Sequence, residues 1–164
     1  MMWYERGYIS EADFYGDIMR MRREEARVTT KQVSDATGIR IDYIYQYEVA
    51  TKMPELVSYV AIENYLRTIV RGRMIKDGYL PEKSHYTSYD LAPITIEDFY
   101  KSSLRYKRME AELTLREAAN FSGIDFRQIS RYENGDDIPT ITSYCKLENL
   151  YRMEALRVKR SKHL

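Results

Sequence analysis

The chain is short of cysteine, of histidine and of net charge: it has one Cys, two His, and 26 Lys plus Arg against 25 Asp plus Glu in 164 residues. A single thiol, Cys145, excludes an internal disulfide, and its apolar helical surroundings predict a buried, unreactive group. His85 and His163 have no neighbouring carboxylate and nucleophile of the kind that general acid–base or triad chemistry needs, and no Cys/His cluster has metal-ligand spacing. The reading is therefore a protein that is not an enzyme, with no catalytic residues, no metal site and no cofactor. No stretch approaches membrane-spanning length, and the opening MMWYERGYIS lacks both a basic start and an apolar run. A cytoplasmic protein without membrane contact is expected. A net charge of +1 also lacks the whole-chain basic signature of a non-specific nucleic-acid binder.

What the chain does have is an internal duplication. Residues 9–67 align with residues 94–152 without a gap at an offset of 85, and 20 of the 59 aligned positions are identical. Positions that agree, such as Arg23/Arg108, Gly38/Gly123, Ile44/Ile129, Tyr47/Tyr132 and Glu48/Glu133, should carry a shared fold. Positions that disagree, above all 40–46 against 125–131, should carry what each repeat does. Charge is also uneven: residues 13–78 have 11 basic and 10 acidic side chains, whereas residues 98–164 have 13 and 10. Any polyanion surface is expected to be stronger in the second repeat.

Each repeat reads as four helices. Ser10-x-x-Asp13 and Thr95-x-x-Asp98 are hydroxyl caps with an acidic residue at the third helical position, and open first helices at about 11–26 and 96–111. Thr29-x-x-Gln32 and Thr114-x-x-Glu117 announce second helices in the same way, and Gly38 and Gly123 end them by taking the left-handed conformation. A third helix follows, capped by Asp125-x-x-Gln128 in the second repeat but by Arg40, a poor cap, in the first. It ends near Tyr47-Glu48 and Tyr132-Glu133, where Asn134-Gly135 is a strong turn signal and Val49-Ala50 is not. Pro54 and Pro139 precede a fourth helix, whose apolar positions include Leu56, Tyr59, Val60, Ile62, Leu66 and Ile69, and then Ile141, Tyr144, Cys145, Leu147, Leu150 and Leu156. The fourth helix of the second repeat meets no glycine and should run close to the C-terminus. Between the repeats, GYLPEKSHYTSYDLAP has two prolines and little helical period, and reads as a linker.

The run from Leu113-Thr114 through Glu117-Ala118-Ala119, Gly123-Ile124, Ile129-Ser130-Arg131-Tyr132-Glu133-Asn134-Gly135 and Pro139-Thr140 closely resembles the lambda-repressor-like, Cro-type helix-turn-helix family, also called the xenobiotic-response-element family. The first repeat resembles it by way of the second. The resemblance implies an all-α fold of two tandem helix-turn-helix units joined by a linker: residues 9–77, linker 78–93, and residues 94–164 with a basic C-terminal helix. It implies further that the third helix of each unit lies in the major groove of double-stranded DNA. Carried over residue by residue, the reading set of the second repeat is Phe126, Arg127, Gln128, Ser130 and Arg131, and Arg127 can fork onto a guanine. The first repeat has Ile41, Asp42, Tyr43 and Gln46 in the corresponding places, a poor reading surface because a groove-facing aspartate is repelled by phosphates. Where the family opens the preceding helix with a phosphate-touching glutamine, this chain has Thr30 and Leu115; of these only the threonine can donate to phosphate. The resemblance also pairs Arg23 with Glu48 and Arg108 with Glu133 as an architectural ion pair.

Two functions follow as expectations. The first is a sequence-specific DNA-binding transcriptional regulator of a bacterium, phage or mobile element, with two motifs in one chain; a linker of about sixteen residues spans roughly 20–24 Å on average and reaches half-sites about 34 Å apart when extended. The alternative is an inhibitor or adaptor that turns the same scaffold towards a protein, through Ile41, Asp42, Tyr43 and Tyr45. The oligomeric state is left open.

Overall fold

The computed structural model describes residues 10–77 and 95–163, apart from the side chains of Asp13, Phe14 and Met74. The expected linker, residues 78–93, and the opening segment lie outside the described residues. The fold is all-α, with eight α-helices and no strand among the described residues. In the first unit these are α1 (Ile18–Glu25), α2 (Thr30–Thr37), α3 (Ile41–Glu48) and α4 (Leu56–Lys76). In the second unit they are α5 (Ser103–Glu110), α6 (Leu115–Ser122), α7 (Phe126–Asn134) and α8 (Ile141–Lys162). Every helix start in the second unit lies 85 residues after its counterpart, the offset of the sequence duplication.

Local chemistry accounts for most boundaries. Thr29 Oγ1 accepts from the Gln32 amide at 3.1 Å while Gln32 Oε1 accepts from the Thr29 amide at 2.8 Å, so the first capping box is closed in both directions. Thr114 and Glu117 repeat it at 3.1 and 3.4 Å. Gly38 and Gly123 both stand at φ 75°, and terminate α2 and α6 as expected. Arg40 makes no side-chain cap, whereas Asp125 Oδ1 accepts from the Arg127 amide at 2.8 Å.

Three expectations need correction. The first helices are not α-helical throughout: a π-helical turn, Asp13–Asp17, runs into α1, and another, Asp98–Ser102, precedes α5. Each turn carries the sequence Asp-Phe-Tyr and brings its tyrosine, Tyr15 or Tyr100, into the core. Gln128 does not return to its cap, because its amide donates to Asp137 at 3.0 Å. Leu156, counted among the apolar positions of α8, is exposed.

The core of each unit forms from the inward faces of its four helices. Met19, Val33, Ile44, Leu56, Tyr59 and Ile62 fill the first, and Leu104, Ala118, Ile129, Ile141, Tyr144 and Leu147 fill the equivalent positions of the second. Phe99 stacks on Tyr144 with ring centroids 5.1 Å apart. Burying a side chain such as Ile129, which is 0% exposed, contributes roughly 1.5–3 kcal/mol over leaving it in water. Cys145 is buried here too, and burial pushes its thiol up to about 12.

Duplicated ion pairs tie the helices together. Arg23 grips Glu48 through Nε at 2.5 Å and Nη2 at 3.1 Å, and its Nη1 donates to the Val28 carbonyl at 3.0 Å. Arg108 does the same to Glu133 (2.6 and 3.0 Å) and to Leu113 (2.9 Å), so one guanidinium joins the first helix, the turn behind it and the end of the third helix. A second set was not anticipated from sequence. Glu63 on α4 is held by Arg22 and by Arg67, whose Nε lies at 3.0 Å. Glu148 on α8 is held by Lys107 at 2.6 Å and Arg152 at 2.9 Å. Burial pushes the Glu148 carboxyl up, but Lys107 and Arg152 outweigh it and hold the group below its ordinary range.

Candidate nucleic-acid interface

In the second unit the αL residue Gly123 turns the chain between α6 and α7, and the two helices pack against each other. Helical periodicity then divides α7 into two faces. Ile129, Tyr132 and Glu133 point into the core, while Arg127 and Arg131 are exposed and Phe126, Gln128 and Ser130 are half-buried. The five reading residues expected from sequence therefore share one helix and lie off its buried face.

Their side chains fall into two groups. At the start of α7, two guanidinium groups lie over the Phe126 ring: Arg116 Cζ is 4.8 Å from the ring centroid and Arg127 Cζ 5.6 Å. Arg116, in the first turn of α6, was missed by sequence reasoning. The available signal was the basic residue Lys31 at the equivalent place in the first repeat. At the far end, Arg131 donates to Asp137 through Nε at 2.7 Å and Nη2 at 3.2 Å, and Gln128 donates to the same carboxylate. The Arg131 and Gln128 hydrogen bonds hold the Asp137 carboxyl at about 2. Asn134 Nδ2 reaches the Ser130 hydroxyl at 3.4 Å.

The first unit builds a different surface on the same frame. Arg40 binds Asp42 by both carboxylate oxygens, at 3.1 and 2.7 Å, so the aspartate expected to repel phosphate has its charge balanced locally. Two cations lie over the Tyr43 ring, Lys52 at 4.2 Å from its centroid and Arg40 at 4.8 Å. Ile41, Tyr45 and Val49 recur every four residues and are 37%, 54% and 64% exposed, an apolar stripe where the second unit has Phe126, Ser130 and Asn134. Gln46 is half-buried, and its carbonyl accepts from the Thr51 amide at 2.9 Å. Thr30 is 6% exposed and has little surface to offer a phosphate.

Electrostatics separate the units further. Residues 115–137 contain three arginines, Arg116, Arg127 and Arg131, against five carboxylates, so the helix-turn-helix itself is not basic. Of the basic C-terminal segment of α8, Arg157 pairs with Glu154 at 2.8 Å and Lys162 with Glu112 at 2.6 Å. Lys159 and Arg160 are exposed and have no ion pair among the described residues. Of the basic residues near the end of α4, Arg73 donates to the Glu25 carbonyl at 3.2 Å. Among the described residues no helix is long and apolar enough to cross a membrane, and no group of acidic, His and Cys side chains could hold a metal ion.

Residues 104–156, which span α6, α7 and most of α5 and α8, match the family described as helix-turn-helix, of the lambda-repressor-like, Cro/C1 type. The match supports a DNA-binding role for the second unit. Comparisons with curated proteins and with solved structures give no match.

Proposed function

We propose that the chain is a sequence-specific DNA-binding transcriptional regulator of a bacterium, phage or mobile element, in which the second unit reads bases through α7 and the first contributes less to recognition. The observation that carries this reading is the cluster Arg116, Phe126 and Arg127, two cations over one half-buried ring at the start of α7 within the region of the family match. Arginine forks fit the N7 and O6 acceptors of guanine, and an aromatic edge fits a thymine methyl. The first unit supports only a minor share of base contacts, since Asp42 and Tyr43 are engaged by Arg40 and Lys52. Two half-sites of different sequence follow from units that differ at positions 40–46 and 125–131.

Selection from random duplexes, followed by binding measurements, tests the reading. Arg127→Ala or Arg116→Ala should weaken the selected site by about 1–3 kcal/mol, while Asp42→Ala should not weaken it. With about four to six phosphates neutralised, log K should fall with log salt at a slope of about −4 to −5. An absence of enriched sequence, together with binding at 50 mM salt weaker than about 10⁻⁴ M, would sink the DNA reading. A second reading, an inhibitor or adaptor acting on a protein, draws on the exposed Ile41, Tyr45 and Val49 stripe of α3. Replacing Tyr45 by Lys would then abolish partner capture and leave DNA binding intact.

A further inference from the structure

Arg131 and Gln128, one turn apart on α7, converge on a single carboxylate that the sequence pattern does not single out. Asp137 lies in the turn after α7, and its own amide is bonded at 3.4 Å to the Arg131 carbonyl, beside the Asp136 amide at 2.9 Å. The backbone thus brings the carboxylate back to the residue that it holds. Asp137 takes Arg131 side-on, through Nε and Nη2, and the amide of Gln128 shares Oδ2. A guanidinium has five N–H donors in one plane. Occupying the Nε/Nη2 edge leaves the end-on edge, one N–H each from Nη1 and Nη2, as a parallel pair that matches guanine O6 and N7.

We propose that Asp137 is a positioning residue for base recognition, which presets Arg131 and Gln128 so that the second unit distinguishes a guanine instead of gripping phosphate. The inference rests on the DNA reading of that unit. Two physical effects act in the same direction. Holding the arginine in one rotamer removes freedom that binding would otherwise have to remove. Pairing with Asp137 also cancels charge that Arg131 would otherwise offer to phosphates, and so weakens contact with sequences in which the guanine is absent. With its carboxyl at about 2, Asp137 stays ionised throughout the range in which DNA is bound. The first unit lacks the device: Gln46 and Lys52 stand at the places of Arg131 and Asp137, and Lys52 lies over the Tyr43 ring.

The full chain is used for the test, with Asp137→Ala, Asp137→Asn, Arg131→Ala and the Asp137→Ala/Arg131→Ala double variant. Sites are selected from random duplexes, and affinities are measured for the selected site, for single-base changes in it, and for random duplex. For Asp137→Ala, the ratio of specific to random affinity should fall about tenfold, with random-duplex binding tightened and its salt slope steeper by about one. The relaxed base pair should be the one relaxed by Arg131→Ala, and the double variant should relax it no further. Asp137→Asn keeps an acceptor of the same size and should fall between Asp137→Ala and the unaltered chain. An equal change in affinity for every sequence, or an unchanged base preference, overturns the positioning role. Failure of the unaltered chain to enrich any sequence overturns the DNA reading itself, and this inference with it.

Discussion

Ala50 stands in the left-handed conformation, φ 60°, directly against Gly16: a Cβ on Gly16 would lie 3.5 Å from the Ala50 methyl. The second unit has the opposite arrangement, with Gly135 at φ 79° and the stem of Lys101 across it, 3.2 Å from where a Cβ would sit. The glycine has changed sides of the contact. In the first unit it sits on the π-helical turn, within van der Waals reach of the Ala50 methyl; in the second it relieves the strained turn position, and the opposing helix carries a long side chain.

The first prediction follows from this exchange. Ala50→Gly should stabilise the protein by about 0.5–1 kcal/mol, because the left-handed penalty of about 1–2 kcal/mol exceeds the entropic cost of glycine. Gly135→Ala should destabilise by about 1–2 kcal/mol from backbone strain, and the flexible Lys101 stem can move aside. Denaturant unfolding of both variants checks the signs. Equal destabilisation would show that Ala50 is not strained.

Arg108 and Glu133 have side chains 15% and 6% exposed, so their ion pair is largely shielded from water. The Glu133 hydrogen bond raises the Arg108 guanidinium above its ordinary value, against the effect of burial. Arg108→Ala should cost about 3 kcal/mol, since it strands a buried carboxylate and frees the Leu113 carbonyl. Melting temperatures would register this for every preparation, with or without DNA. A variant that melts like the parent yet fails to bind would move Arg108 from the scaffold to the ligand surface.

Tyr151 is 1% exposed and its hydroxyl is buried with no hydrogen-bond partner among the described residues. Burial raises its pKa, with the Glu133 charge adding to the effect. Tyr151→Phe should therefore stabilise the second unit by about 1 kcal/mol, because the ring packing is kept and an unsatisfied donor is removed. Leu66, at the equivalent place in the first repeat, already has no hydroxyl to satisfy. A drop in melting temperature for Tyr151→Phe would mean that the hydroxyl is satisfied in solution.

Asp137 predicts a pH dependence with a defined sign. Its carboxyl is lowered from 3.8 to about 2 by Arg131 and Gln128, so its contribution to stability is present above about pH 4 and is lost as pH falls towards 2. The parent should be more stable than Asp137→Asn at pH 6, and the two should converge below pH 2. A carboxyl titration followed by NMR gives the midpoint directly. A midpoint near 4 would show that the clamp is not maintained in solution.

The capping boxes at Thr29 and Thr114 and the stops at Gly38 and Gly123 were legible because each is decided within four residues. Arg108 and Glu133 were legible only through the family resemblance, since 25 residues separate them. The turn at Val49-Ala50 had no local signal, yet it forms: the Gln46 carbonyl accepts from the Thr51 amide at 2.9 Å just as Arg131 accepts from Asp136. The surrounding packing imposes a conformation that alanine would not choose. The π-helical turns were equally invisible, because an apolar period does not show that the segments carrying Tyr15 and Tyr100 into the core are wound more widely than an α-helix.

The sequence by itself determined the four-helix plan of each repeat, most of the core positions on its fourth helix and the helix that carries the candidate reading set, because spacing along a helix decides which side chains share a face. Only the tertiary structure decided what those side chains hold. It placed Asp137 beside Arg131 and Gln128, Lys52 over Tyr43, Arg40 on Asp42 and Arg116 over Phe126. A charge in a sequence has no partner until a turn fixes its direction, and at equivalent places in the two repeats the same turns bring different charges together.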